Sequence, residues 1–149
     1  MTDHWVWLDR LDDHHFEQLG DLFRATWWAS DRHRQPERLR QMVAASDEVL
    51  GVCDRRTGRL IGFARVLTDY TYRAVLWDVV VDPAYRGQGV GRLIVQALRD
   101  RPALRNIDAF LLMCLPEMVP FYQQLGFEPE TKVTLMIASG GGFQNAQEA

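Results

Sequence analysis

The stretch that decides the fold is residues 76–98, L-W-D-V-V-V-D-P-A-Y-R-G-Q-G-V-G-R-L-I-V-Q-A-L. Its first part, Leu76 to Val81, is apolar except for Asp78, which predicts a strand covered on both faces. Asp82-Pro83 ends that strand, because proline cannot donate to a ladder. Apolar residues at helical spacing then run from Val90 to Leu98. The stretch therefore predicts a strand, a glycine loop and a helix.

The glycine loop, R-G-Q-G-V-G-R from Arg86 to Arg92, predicts a phosphate or pyrophosphate cradle. Glycines let backbone N–H groups approach an anion closely, and a helix N-terminus adds its positive dipole end. Arg86 adds a fixed positive charge. A P-loop would end in Gly-Lys-Ser/Thr, whereas Gly91 is followed by Arg92, and the G-x-G-x-G spacing differs from the Rossmann G-x-G-x-x-G. The alternative is a glycine-rich turn that holds no ligand.

Composition limits the class of protein. The chain has 149 residues, is 47% hydrophobic and contains five Trp, which suits one domain with a sizeable core. A net charge of −3 makes no electrostatic case for nucleic acid. Two cysteines form no disulfide framework or zinc set, so we expect a reducing cytoplasm. An acidic N-terminus argues against a signal peptide, and no apolar run reaches the ~20 residues of a membrane helix.

Histidine placement gives no reason to expect a metal site. The four histidines lie in the N-terminal part without ligand spacing among them, and surface positions are expected for them: His4, His14, His15 and His33.

Along the whole chain, with the deciding stretch included, the predicted order of elements is β-α-α-β-β-β-α-β-α-β. A short strand at 5–8 precedes two helices, the first capped by Asp12 or Asp13 and the second starting at Pro36. Strands at 48–53 and 60–68 form a meander with the central strand. After the glycine-loop helix we expect a strand at 107–115, a short helix from Pro116 and a last strand at 131–138. A single domain, residues 1–138, and a disordered Gly-rich tail, 139–149, are predicted.

Two motifs carry a family resemblance. Arg86-Gly-x-Gly-x-Gly after an apolar strand resembles the acetyl-CoA-binding motif of the GCN5-related N-acetyltransferases (GNAT). The segment C-L-P-E-M-V-P-F-Y-Q-Q-L-G-F, residues 114–127, is similar to that family's Phe-Tyr-x-x-x-Gly-Phe segment. The resemblance covers roughly residues 5–138 and implies an α/β (α+β) fold with a mixed central sheet flanked by about four helices.

The same resemblance implies acetyl transfer from acetyl-CoA directly to a primary amine, a small molecule rather than a peptide, without a metal. The loop amides would hold the coenzyme pyrophosphate, and the splayed central strand would pair with the pantetheine arm and offer an N–H near Val80 to the thioester oxygen. The implied coenzyme-binding set is Val79, Val80, Val81, Arg86, Gly87, Gln88, Gly89, Val90, Gly91 and Arg92. Dimerisation is common in this fold. The alternative is a non-catalytic coenzyme-binding sensor or scaffold.

Two side chains are candidates for proton transfer. Tyr122 matches the family's tyrosine, and a phenol with a pKa of ~10 can protonate a thiolate whose acid has a pKa of ~8.5. The alternative is a core tyrosine. Asp78 stands alone in an apolar strand and suits a base, but it also suits a structural aspartate bonded to backbone, Arg65 or Arg73. A water chain could equally remove the proton. Cys114, expected in a buried strand, is predicted to be inert.

The acceptor site of such a fold would be walled by the first two helices and the middle hairpin. Aromatic rings with carboxylates suit an amine, and the alternative is that they are core or loop anchors. The candidates are Trp27, Trp28, Asp31, Asp69, Tyr70 and Tyr72.

Two narrower resemblances favour different acceptors. Residues 61–65 and 76–83 look similar to plastid and cyanobacterial serotonin N-acetyltransferases, whereas 114–116 with 119–122 look similar to glucosamine-6-phosphate N-acetyltransferases. The serotonin enzymes carry an acidic residue shortly before the tyrosine, where this chain has Leu115-Pro116 and then Glu117 out of register. Neither substrate is assigned.

Overall fold

A computed structural model describes residues 4–26 and 34–140. The predictions on Trp27, Trp28, Asp31 and His33, and most of the predicted tail, lie outside the described residues. Contacts divide the chain into two units, residues 1–113 and 114–149.

The first unit is built on a mixed sheet of five strands in the order β1-β2-β3-β4-β5. The first four strands pair antiparallel, and β5 pairs parallel to β4. The strands are β1 (Trp5–Leu8), β2 (Glu48–Asp54), β3 (Leu60–Thr68), β4 (Arg73–Val81) and β5 (Ala109–Leu111).

Three helices belong to this unit, α1 (His15–Arg24), α2 (Pro36–Ala44) and α3 (Val90–Arg99), and α4 (Val119–Gln123) belongs to the second unit. The expected mixed sheet and four helices are confirmed. The helix of the deciding stretch begins at Val90, as its apolar spacing predicts.

Neighbouring residues of β3 lie on opposite faces of the sheet, as the two-residue period of a strand requires. Phe63 packs edge-to-face on Phe23 of α1, with ring centroids 6.2 Å apart. Gly62 faces α3: a Cβ added there would lie 2.9 Å from Cδ1 of Ile94 and 3.4 Å from Cγ1 of Val90. The missing side chain therefore lets α3 lie close on β3, which sets where the N-terminus of α3 stands.

The predicted last strand, residues 131–138, does not form. The described part of this segment has no strand, and its apolar side chains are exposed, with Met136 at 87% and Ile137 at 82%. Similarly, the strand predicted at 107–115 is confined to Ala109–Leu111, and Cys114 is partly exposed beyond it. A strand depends on a pairing partner more than on its own residues, and no described strand pairs with 131–138.

The start of α1 also differs from expectation. Its N-cap is His14, which makes no capping hydrogen bond, rather than Asp12 or Asp13. His15 is buried, at 5% exposure, instead of lying on the surface. Its Nδ1 accepts a hydrogen bond from the backbone N–H of Asp12 at 2.9 Å, and burial, followed by the charge of His14, lowers its pKa. The bond to a local backbone amide makes this inward position tolerable for a polar ring.

Candidate active site

The central strand β4 continues beyond the end of β5, with which it forms only a short ladder. Only Arg73 to Val75 pair with β5. From Leu76 to Val81, no strand among the described residues pairs with that edge of β4, although β3 continues to pair on the other side. An edge of this kind can accept an extended ligand as an added strand, and because β5 ends at Leu111 the splay of the two strands stays a prediction.

A β-bulge interrupts β4 in the middle of this open edge. Phe63 pairs with Val80 and Arg65 with Trp77, so that one β3 residue, Ala64, opposes both Asp78 and Val79. Asp78 has φ 59°, in the left-handed region that few residues other than glycine adopt, although Asp and Asn tolerate it best. The extra residue of a bulge leaves the ladder and redirects the strand.

The carboxylate of Asp78 is held by two guanidinium groups. Arg65 donates from Nε to Oδ2 at 2.6 Å, and Nη2 of Arg34 lies 3.6 Å from Oδ1. The Asp78 side chain is only 7% exposed. Burial lowers the pKa of Arg34, an effect that Asp78 partly opposes, and the Arg34 guanidinium lies over the Phe23 ring, 4.7 Å from its centroid. Asp78 thus has a fixed partner in Arg65, one of the expected candidates, and Arg34 adds a second contact that the sequence did not suggest.

The glycine loop follows a 3₁₀ turn, Pro83–Tyr85, and leads directly into α3. Gly87 has φ 78° and Gly89, the N-cap of α3, has φ 83°. A Cβ at either position would meet nothing within 4 Å, so backbone conformation rather than crowding calls for glycine here. The first amides of α3 lack acceptors within the helix, and Arg86 is exposed beside them. The donor set and the open space fit an anionic group such as a pyrophosphate.

A hydrogen bond that sequence reasoning missed anchors this loop. Oη of Tyr85 donates to Oδ2 of Asp54 at 2.6 Å, and the Tyr85 ring packs edge-on against Trp5, with centroids 5.8 Å apart. The bond lowers the pKa of Asp54 and raises that of Tyr85. It ties the start of the loop to the β2–β3 hairpin. The only signal in the sequence was an aspartate at the end of a strand, which also fits an ordinary turn.

Tyr122 lies on α4 of the second unit and is 8% exposed. Its ring contacts those of Phe121 and Phe127, with centroids 4.9 and 5.9 Å away. Burial, followed by the charge of Cys114, raises the pKa of Tyr122 to about 12. The phenol therefore keeps its proton at neutral pH.

The described residues of the expected acceptor wall have other partners. Asp69 accepts hydrogen bonds from the N–H groups of Thr71, Tyr72 and Arg73, which lower its pKa. Oη of Tyr70 donates to Oε2 of Glu48 at 2.7 Å, and this bond, foremost among the causes, raises the Tyr70 pKa to about 12. These contacts favour the loop-anchor interpretation for Asp69 and Tyr70. Tyr72 is 62% exposed.

In the described ranges, one group of potential metal ligands comes together: atoms of Asp12, His14 and His15 lie within 4.8 Å of one another. The Nδ1 lone pair of His15 is already used by the Asp12 amide. None of the helices in the described ranges is long and apolar enough to cross a membrane.

Comparison with known proteins identifies the family. The model of the acetyltransferase (GNAT) family matches residues 9–127. Histone acetyltransferase TAP1 of Glycine max is 42% identical over 72 residues, covering 48% of this chain and 31% of that protein. Serotonin N-acetyltransferase 2, chloroplastic, of Oryza sativa subsp. japonica is 38% identical over 97 residues, covering 63% of this chain and 48% of that protein.

The solved structure of glucosamine-6-phosphate N-acetyltransferase from Arabidopsis thaliana superimposes with a TM-score of 0.66 at 19% identity, covering 92% of this chain and 98% of that one. This likeness shows the fold alone. Three plant relatives that share 42–43% identity are much longer proteins, and the matched stretch spans 31, 29 and 28% of their lengths. The family match and the fold agree: the chain belongs to the GNAT family of N-acetyltransferases.

Proposed function

We propose that this N-acetyltransferase uses acetyl-CoA and transfers the acetyl group directly to the primary amine of a small molecule. The observation that carries the proposal is the glycine loop, whose open Gly87 and Gly89 stand at the N-terminus of α3 beside the unpaired edge of β4. Amides, a helix dipole end and an arginine together make an anion site.

The residues that would hold the coenzyme follow from this arrangement. The backbone of Gln88 to Gly91 would bind the pyrophosphate, with Arg86 and Arg92 supplying charge. The edge of β4 from Val79 to Val81 would pair with the pantetheine arm. When bound, acetyl-CoA supplies an activated thioester. The bulge leaves Asp78 and Val79 outside the regular ladder, and a backbone N–H of this stretch near Val80 is the proposed one-donor oxyanion site.

Tyr122 is the proposed general acid. Its Oη holds a proton at neutral pH, since an ordinary phenol has a pKa of ~10 and burial raises that of Tyr122 to about 12. The raised pKa makes Tyr122 a weaker acid than a phenol in water, so proton transfer to a departing thiolate, whose acid has an ordinary pKa of ~8.5, depends on direct contact between the two groups.

The acceptor ammonium must lose a proton before the neutral amine can attack the thioester, and this proton has two proposed routes, Asp78 or a chain of water molecules. Asp78 lies in the bulge at the proposed reaction point, which supports a direct role. Its two carboxylate oxygens face Arg65 and Arg34, and this pairing supports the water route.

The identity of the acceptor amine is the most specific part of the proposal. The names of two sequence relatives point to a histone and to serotonin, so they do not agree on one acceptor. The exposed ring of Tyr72 on the β3–β4 turn offers a face to a small cationic amine. A reducing compartment such as the cytoplasm suits the free thiols of Cys53 and Cys114, and a chloroplast stroma would suit them equally.

The test is thiol release from acetyl-CoA with a panel of arylalkylamines, amino sugars, polyamines and peptide amines. Tyr122→Phe is the comparison, and acetyl-CoA affinity is measured by calorimetry for both proteins. Loss of rate with unchanged coenzyme affinity supports Tyr122 as the acid. Turnover confined to peptide amines contradicts the small-molecule acceptor. Coenzyme binding with no turnover on any amine favours a sensor or scaffold.

A further inference from the structure

We infer that Asp78 is a positioning residue: its side-chain oxygen, hydrogen-bonded to Nε of Arg65, locks the left-handed bulge of β4, and the carboxylate is not the base. The inference rests on the proposed function, because it assigns the bulge to the site where acetyl transfer takes place. Arg65, which has no other assigned role, then helps to orient the β4 backbone.

The first step is the backbone of Asp78. A non-glycine residue at φ 59° is strained unless its surroundings hold it. Asparagine and aspartate adopt this region at lower cost than other residues with side chains. Glycine would adopt it freely but would leave the bulge free to relax into a regular ladder. An aspartate with a fixed partner adopts positive φ at low cost and also holds the bulge in place.

The second step is the rigidity of that partner. Arg65 lies on β3 opposite Trp77, the residue just before the bulge. Besides the 2.6 Å bond to Asp78, its Nη1 lies 3.4 Å from Oγ of Ser46, and Ser46 itself donates to the Met42 carbonyl at 2.8 Å. The Arg65 side chain is 15% exposed. The guanidinium is therefore tied to the end of α2 as well as to the bulge.

The third step is what this pairing does to proton transfer. A general base must present a free oxygen to the acceptor nitrogen. Here Oδ2 accepts a short charge-assisted bond from Arg65, and Arg34 lies 3.6 Å from Oδ1. Proton uptake at either oxygen would remove the negative charge that pairs with Arg65 and Arg34, and a cationic ammonium would meet a carboxylate that two guanidinium groups already face. The carboxylate stays paired, and the water route removes the proton.

Substitutions at position 78 separate geometry from basicity. Asp78→Asn keeps the tolerance for positive φ and an oxygen for Arg65 but cannot act as a base. We expect kcat to fall by no more than about threefold, which is a small change in activation free energy, with an unchanged pH profile of kcat/KM. Asp78→Ala has neither the tolerance for positive φ nor an oxygen that binds Arg65. We expect kcat to fall by about tenfold or more, as it does when reacting groups are misplaced.

Arg65 supplies the second arm of the test. Arg65→Met should lower kcat as much as Asp78→Ala does, and Arg65→Lys should lower it less. The Arg65→Met/Asp78→Ala double variant should have a kcat little below that of either single variant. The matched control is Arg73→Met, which removes a charge from the same strand as the bulge. Arg73 makes its side-chain bond to the Tyr72 carbonyl and does not touch Asp78.

A readout independent of turnover is the backbone itself. In the protein without acceptor, the amide ¹⁵N chemical shifts and hydrogen exchange of Val79 and Val80 should be preserved in Asp78→Asn and changed in Arg65→Met. A loss of about 100-fold or more in Asp78→Asn with preserved amide shifts is the signature of a lost base and overturns the inference. Unchanged amides in Arg65→Met also overturn it. If wild type acetylates no amine, the proposed function fails, while the amide measurements still decide whether the lock exists.

Discussion

The close approach of α3 to β3 at Gly62 makes a quantitative prediction. Gly62→Ala places a Cβ 2.9 Å from Cδ1 of Ile94, about half an ångström inside ordinary contact. Ile94 is fully buried, so its side chain cannot swing into solvent. Overpacking costs about 1–3 kcal/mol, and the reduced freedom of the unfolded chain returns about 0.4–1 kcal/mol. With mid-range values for both contributions, the free energy of unfolding should therefore fall by about 1–2 kcal/mol.

The assay is urea and thermal unfolding, and a loss of that size corresponds to about 2–8 °C in Tm for a chain of this length. Ile94→Val removes the colliding Cδ1 and alone costs about 0.5–1.5 kcal/mol. The double variant should be less destabilised than the sum of the single variants. Gly140→Ala, where a Cβ meets nothing within 4 Å, is the control. Strict additivity, or a Gly62→Ala protein as stable as wild type, would refute the reasoning.

Two further predictions concern the loop anchor and the buried histidine. Tyr85→Phe removes the bond to Asp54 that ties down the glycine loop, so the KM for acetyl-CoA should rise while kcat stays nearly constant; steady-state kinetics checks this, and a fall in kcat alone would contradict it. The pKa of His15 is lowered in the folded protein, so the unfolded chain binds more protons as the pH falls through about 6.5, and stability must fall with it. Urea unfolding at pH 7.5 and 5.5 should show a smaller loss for His15→Gln than for wild type, and an equal loss would contradict the assignment.

Residues 76–98 could be predicted from sequence because their signals are local. An apolar run, a proline stop, alternate glycines and a helical repeat each act over a few residues, and α3 begins where the repeat does. The family motifs add specificity to the same stretch. The family resemblance also implies an unpaired edge on β4 for the coenzyme arm, and no strand among the described residues pairs with that edge beyond Val75.

What could not be predicted depends on distant partners. The apolar residues of 131–138 have strand propensity, but a strand forms only where another strand pairs with it. The bulge at Asp78 arises from the β3–β4 register, and Arg34, one of its partners, comes from a distant part of the chain. His15 is buried because of how α1 packs, and no local pattern distinguishes it from exposed His14.

The most direct measurement is a calorimetric titration of the wild-type protein with acetyl-CoA and with S-acetyl-pantetheine, which lacks the pyrophosphate. If the loop from Arg86 to Gly91 is the pyrophosphate cradle, acetyl-CoA binds well and S-acetyl-pantetheine binds far more weakly. Gly89→Ala, which strains a residue at φ 83°, should lose affinity for acetyl-CoA but not for the shorter ligand. Equal affinity for both ligands, or no binding of acetyl-CoA, would contradict the account.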